Sequence, residues 1–157
     1  MKFTTKEDIE APLAFVYSAI SDFNYWERAA MRRGADVNRT DRLHKAGAGM
    51  GWKIDFQYRG KLRNLEVNLL EMIDEQRLAF SMLGKPANGT LSIDMAEMGP
   101  KRTRIRIAAE VKPNTLAARV FIQSLRLAKA KVNRKFELRF AQVAADIEDR
   151  YRAQIIT

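Results

Sequence analysis

The last third of the chain constrains its fold more than any other part. After Pro113-Asn114-Thr115 comes a long stretch free of proline and glycine. Within it Phe121, Leu125, Ala128, Val132, Phe136, Phe140, Val143, Ile147 and Tyr151 recur every three or four residues. Apolar residues at that spacing fall on one stripe of an α-helix. The stretch therefore predicts one uninterrupted helix of about 50 Å, at 1.5 Å per residue. Such a helix is held mainly by packing of its apolar face, so it must lie along an apolar surface over its whole length.

The middle of the chain supplies that surface. In MGWKIDFQY, the residues Trp52, Ile54, Phe56 and Tyr58 alternate with Lys53, Asp55 and Gln57, the period-two signature of a half-buried strand. A short turn at Arg59-Gly60-Lys61 leads to Leu65, Val67 and Leu69. Gln76 to Leu83 places Leu78, Phe80 and Met82 together. Asn88-Gly89 predicts a tight turn, followed by Leu91, Ile93 and Met95. After Gly99-Pro100, Thr103 to Lys112 turns Ile105, Ile107, Ala109 and Val111 one way, with Arg104, Arg106 and Glu110 the other way. A weaker strand spans about Ala35 to Arg42. Consecutive strands joined by short turns make an antiparallel sheet with one apolar face, which the helix must cover.

The beginning of the chain fits the same plan. Residues 2–9 form a short strand. Pro12 suits the first position of a helix carrying Phe15, Val16, Ala19 and Ile20. Ser21-Asp22 caps a second short helix that runs to about Arg33, and Gly34 ends it. No linker or repeat divides the sequence, so residues 1–157 are expected to form one domain.

Composition narrows the chemistry. There is no cysteine and one histidine, which removes disulfides, thiol catalysis and multi-histidine metal sites. The reading includes no metal and no cofactor. The N-terminus lacks the apolar run of a signal peptide, and no stretch is apolar enough to span a bilayer, so a cytoplasmic protein is expected. The net charge of +9 favours acidic partners. The helix cations spread around its polar side and no aromatics interleave with them, which argues against nucleic acid. Transient contact with an anionic membrane needs less geometry. Val120, Leu127 and Leu138 share a second helix face that leaves a homodimer open.

Few residues offer chemistry. His44 precedes the Gly47-Ala48-Gly49 loop and reads as an exposed flank. Asp55, Glu66 and Asp94 fall on the polar face of their strands, so no acid–base pair points inward. The inward faces are almost wholly apolar. Trp52, Ile54, Phe56, Tyr58, Val67 and Phe80 are expected to line a ligand cavity. Met82, Ile93, Met95 and Ile107 join them from the later strands, with Trp26, Val132 and Phe136 from the helices. The competing reading is a filled core. Arg39 and Arg63 on the strands and Lys129 and Arg139 beside the helical stripe are candidate anchors for a carboxylate or phosphate; each can equally snorkel to water. Tyr17 and Tyr58 could donate a hydroxyl.

The order strand, two short helices, six strands and long helix resembles the START-like (SRPBCC) superfamily. That superfamily includes Bet v 1-like proteins and the polyketide cyclase/dehydrase and lipid-transport families. The resemblance is most specific at Ile9-Glu10-Ala11-Pro12, Val16-Tyr17, Ile20-Ser21-Asp22-Phe23 and Trp26. It implies an α+β helix-grip fold, a curved antiparallel sheet of about seven strands wrapped around the C-terminal helix. It also implies a cavity between them. Members bind or carry hydrophobic or amphipathic small molecules, close polyketide rings or activate chaperones, so fold leaves function open. The expectation is a binding or transport module without covalent chemistry. The alternatives are a cyclase/dehydratase-like enzyme and an interaction protein of the chaperone-activator or respiratory-chain accessory type.

Overall fold

The computed structural model describes residues 1–156. Seven strands and four helices follow in the order β1 (Lys2–Ile9), α1 (Leu13–Ile20), α2 (Phe23–Arg32), β2 (Asp36–Arg39), β3 (Gly51–Tyr58), β4 (Lys61–Ile73), β5 (Arg77–Leu83), β6 (Ala87–Gly99), β7 (Arg102–Pro113), α3 (Leu116–Arg126) and α4 (Lys129–Ile156). The strands form one antiparallel sheet in the order β1-β7-β6-β5-β4-β3-β2. This is the helix-grip arrangement; Thr157 lies outside the described residues.

Local chemistry accounts for the joints. Tyr58 pairs with Lys61 across a two-residue turn. Arg59 and Gly60 both take positive φ there, 51° and 76°, as a hairpin turn matched to strand twist requires. Asp22 caps α2 by accepting from the Tyr25 amide at 3.3 Å, and Gly34 closes it at φ 95°. Thr115 caps α3 by accepting from the Ala118 amide at 3.0 Å. Register shifts at Leu69/Glu71 in β4 and Glu97/Gly99 in β6 bend the sheet, as bulges do.

Two expectations are corrected. The C-terminal helix is broken at Leu127-Ala128. The Leu127 amide donates to Ser124 O and the Ala128 amide to Leu125 O, tight three-residue steps that end an α-helix. Neither glycine nor proline marks the break, and the two pieces have different supports. Ile122 of α3 is buried and α3 packs near β7, whereas α4 runs against β1. The second correction concerns Asn88-Gly89, which lies inside β6. The turn falls earlier, where the Gly84 amide donates to Ala87 O. Gly89 instead permits close approach, since a Cβ there would sit 3.2 Å from Glu110 O. Asn114 Nδ2 holds Asn88 Oδ1 at 3.0 Å and also donates to Gly84 O.

The core is uneven along the sheet. Beneath α1 it is filled by Ile9, Val16, Leu69, Leu78, Ile105 and Ile147, all at most 1% exposed. Thr103 is buried among them and donates to Ala11 O at 2.8 Å. Beneath α2 the side chains stop short of filling the space.

Candidate functional site: an apolar cavity with one carboxylate

The space between α2, α4 and the concave face of the sheet is a cavity of about 280 Å³. Trp52, Ile54, Val67 and Phe80 form its floor on β3 to β5, and Leu91, Ile93, Ile105 and Ile107 extend it across β6 and β7. Val37 closes the β2 side, and Phe140 and Val143 of α4 form another wall. The remaining wall is α2, whose Phe23, Trp26, Glu27 and Ala30 face inward. Those positions follow helical spacing and so share one side of the helix. The Trp26 indole N–H donates to Ile20 O at 3.0 Å and Ala19 O at 3.2 Å, which ties α2 to the end of α1. The Phe23 ring packs on Trp52 and Phe80, with centroids 5.3 and 6.3 Å away.

Glu27 is the single titratable side chain on the wall among the described residues. Its Oε1 accepts a hydrogen bond from Trp52 Nε1 at 2.7 Å. The Arg39 guanidinium stands 5.7 Å from the Trp52 ring centroid. Its Nε and terminal nitrogen bind the two Asp41 oxygens at 2.8 and 2.6 Å. Asp41 also accepts from the Leu43 and Gly51 amides at 3.0 and 2.9 Å. The hydrogen bonds from Arg39, followed by the one from Gly51, hold the Asp41 carboxyl well below the usual carboxylate range. Asp41 in turn pushes the Arg39 guanidinium above its ordinary value, with a smaller contribution from Glu27.

The structure thus places Trp26, Trp52, Ile54, Val67, Phe80, Ile93 and Ile107 on the cavity wall. The other expected lining residues lie elsewhere. Met95 is packed in the filled core. Phe56, Tyr58 and Met82 sit farther along their strands, Tyr58 at 54% exposure beside the hairpin turn. Val132 and Phe136 belong to the first turns of α4, where Phe136 stacks with Phe3 and Phe140 at 5.8 and 5.0 Å. Alternation fixes which face a residue takes, not how far along a curved sheet the cavity extends.

None of the four expected cationic anchors reaches the wall. Arg39 is engaged by Asp41. Arg63 is half-buried with an unpartnered Nε opposite Phe56. Lys129 is exposed at the start of α4. Arg139 lies in an outer groove between α2 and α4 with Arg32 and Arg33; that groove shares Trp26, Ala30, Phe140 and Val143 with the cavity. Tyr17 is off the wall, and burial raises its hydroxyl pKa. His44 is exposed. Phe23, Ala30, Val37, Phe140 and Val143 line the wall without having been expected there, and the polar residue that sequence reasoning missed is Glu27. Its signal was the spacing Phe23, Glu27, Ala30, which puts a carboxylate on the apolar side of α2.

Among the described residues, no group of three histidine, cysteine or carboxylate side chains could hold a metal. No helix among them is long and apolar enough to cross a membrane. Leu116, Val120 and Leu127 are exposed on and just beyond α3.

No family model and no curated protein matches the chain. Solved structures do. The Zhui aromatase/cyclase of Streptomyces sp. R1128 is 10% identical, with 98% of this chain and 97% of that chain covered at a TM-score of 0.68. Ara h 8.0201 is 10% identical over 98% of each chain at 0.62. A START superfamily protein from Mycobacterium smegmatis is 10% identical, covering 85% of this chain and 95% of that one at 0.57. At these identities the likeness is one of fold, and that fold is START/SRPBCC-like.

Proposed function

We propose that residues 1–157 act as a single binding module that holds an apolar or amphipathic small molecule, without covalent chemistry, in the cavity beneath α2. One observation carries the reading: a space of about 280 Å³ in which every lining residue except Glu27 is apolar. That is close to the lower end of small-molecule pockets, roughly 300 Å³, so the ligand is compact. The START-like fold of the neighbours supports the same reading. A ring-closing reaction needs an acid and a base placed on the substrate. The described wall supplies one titratable group, and this favours binding over catalysis.

Native mass spectrometry of the purified protein, alone and after exposure to naphthalene, tests the proposal. The wild type is expected to carry a noncovalent adduct. Ala30→Phe, which fills the cavity from α2, is expected to lose it while keeping its circular dichroism spectrum. A wild type that carries no adduct in either condition, or an adduct retained in Ala30→Phe, would refute it.

A further inference from the structure

Glu27 is the one feature of the cavity that an apolar ligand alone does not use. Placing a carboxylate against apolar walls costs desolvation unless hydrogen bonds replace its water. Oε1 has the Trp52 indole N–H at 2.7 Å. Oε2 receives no hydrogen bond from any described residue, although an ionised carboxylate has about four acceptor positions. The charge nearby is also settled. Arg39 is positive, but it is off the cavity wall, and its Nε and one of its two terminal nitrogens are held by Asp41. Glu27, Asp41 and Arg39 therefore sum to one negative charge at this end of the cavity. No cation on the wall remains for an acidic ligand.

We propose that the cavity selects a compact apolar ligand bearing a hydrogen-bond donor, a hydroxyl or an amine, that binds Glu27 Oε2, and that it discriminates against carboxylates and phosphates. The selection rests on the binding reading above. A donor exchanges its hydrogen bond to water for one to a carboxylate, and hydrogen bonds to charged groups are the strong ones. An anionic group would set a second negative charge beside Glu27, where the surrounding apolar walls screen it poorly. The two ends of the ligand are thereby distinguished: the apolar body fills the space over Phe80 and Ile93, and the donor points to α2.

Three ligands on one scaffold test this: naphthalene, naphthol and naphthoate, titrated by calorimetry against the wild type and Glu27→Gln. In the wild type, naphthol is expected to bind at least about tenfold tighter than naphthalene, and naphthoate weaker than naphthalene. Glu27→Gln keeps an oxygen for the Trp52 N–H but removes the charge. The naphthol advantage should shrink severalfold, and naphthoate should recover toward naphthalene. Naphthalene binding with no preference for naphthol, or with naphthoate equal or tighter, would overturn the selection while leaving the cavity reading intact. Binding of none of the three would overturn the cavity reading and the selection with it.

Discussion

Adding one methylene at two different valines should change stability in opposite directions. Val67 of β4 borders the cavity. Val16 of α1 is 0% exposed in the filled half of the core and does not line the cavity. In both cases valine to isoleucine keeps the branched β-carbon and hence the local backbone preference. What differs is the space waiting for the new carbon. At Val67 the methylene enters a void of about 280 Å³ and gains burial worth ~0.8 kcal/mol. For a chain of this size that raises Tm by roughly 2–3 °C. At Val16 the neighbours already touch, and forcing in a carbon costs about 1–3 kcal/mol through shifted rotamers and backbone. Urea unfolding measures both, provided the m-value is unchanged so that the midpoint reports stability alone. If Val67→Ile destabilises as much as Val16→Ile, the space beneath α2 is filled and the cavity argument collapses.

Three other outcomes follow from the geometry. Thr103→Val keeps shape but removes the buried donor to Ala11 O, and should cost about 1–3 kcal/mol in the same urea assay; a neutral result would mean that the hydroxyl is not holding β7 to the β1–α1 connection. Ile147→Ala, at a side chain 0% exposed, should cost about 2–5 kcal/mol. Leu127→Ala, 94% exposed at the helix break, should stay within about 0.5 kcal/mol; equal losses would show that the C-terminal helix packs as one piece. Stability should fall as the solution is acidified below about pH 4, read as Tm against pH. Asp41 and Asp8 are held below the ordinary value of 3.8 in the folded state, chiefly by hydrogen bonds from Arg39 and Arg104. The unfolded chain therefore takes up these protons first, and stability present above that value is lost as the pH falls through the folded values. Asp41→Asn should flatten part of that slope; an unchanged slope would remove Asp41 from the account.

Much of the architecture is legible in the residues. Trp52-Lys53-Ile54-Asp55-Phe56 can be a strand with one wet face and little else. The recurrence from Val132 to Tyr151 can only be a helix lying on something apolar. Together they determine an antiparallel sheet gripped around a C-terminal helix, because each apolar face needs the other. Short-range chemistry is legible for the same reason: Asp22 and Gly34 bracket α2 through contacts a few residues long.

What the tertiary structure alone decided lies at longer range. No glycine or proline marks the break at Leu127-Ala128; it separates a helix supported near β7 from one supported by β1. Ile93 and Met95 have the same parity on the same strand, yet one borders a void and the other packs in the core, because α1 reaches over only part of the sheet. Arg39 has the face expected of an anchor but is claimed by Asp41 two residues later. Glu27, on a short helix beside the exposed Arg28, became the polar point of the cavity only when α2 was laid across Trp52. Periodicity encodes direction from a local backbone. Whether a side chain meets another atom, a partner or empty space depends on how segments distant in sequence are brought together.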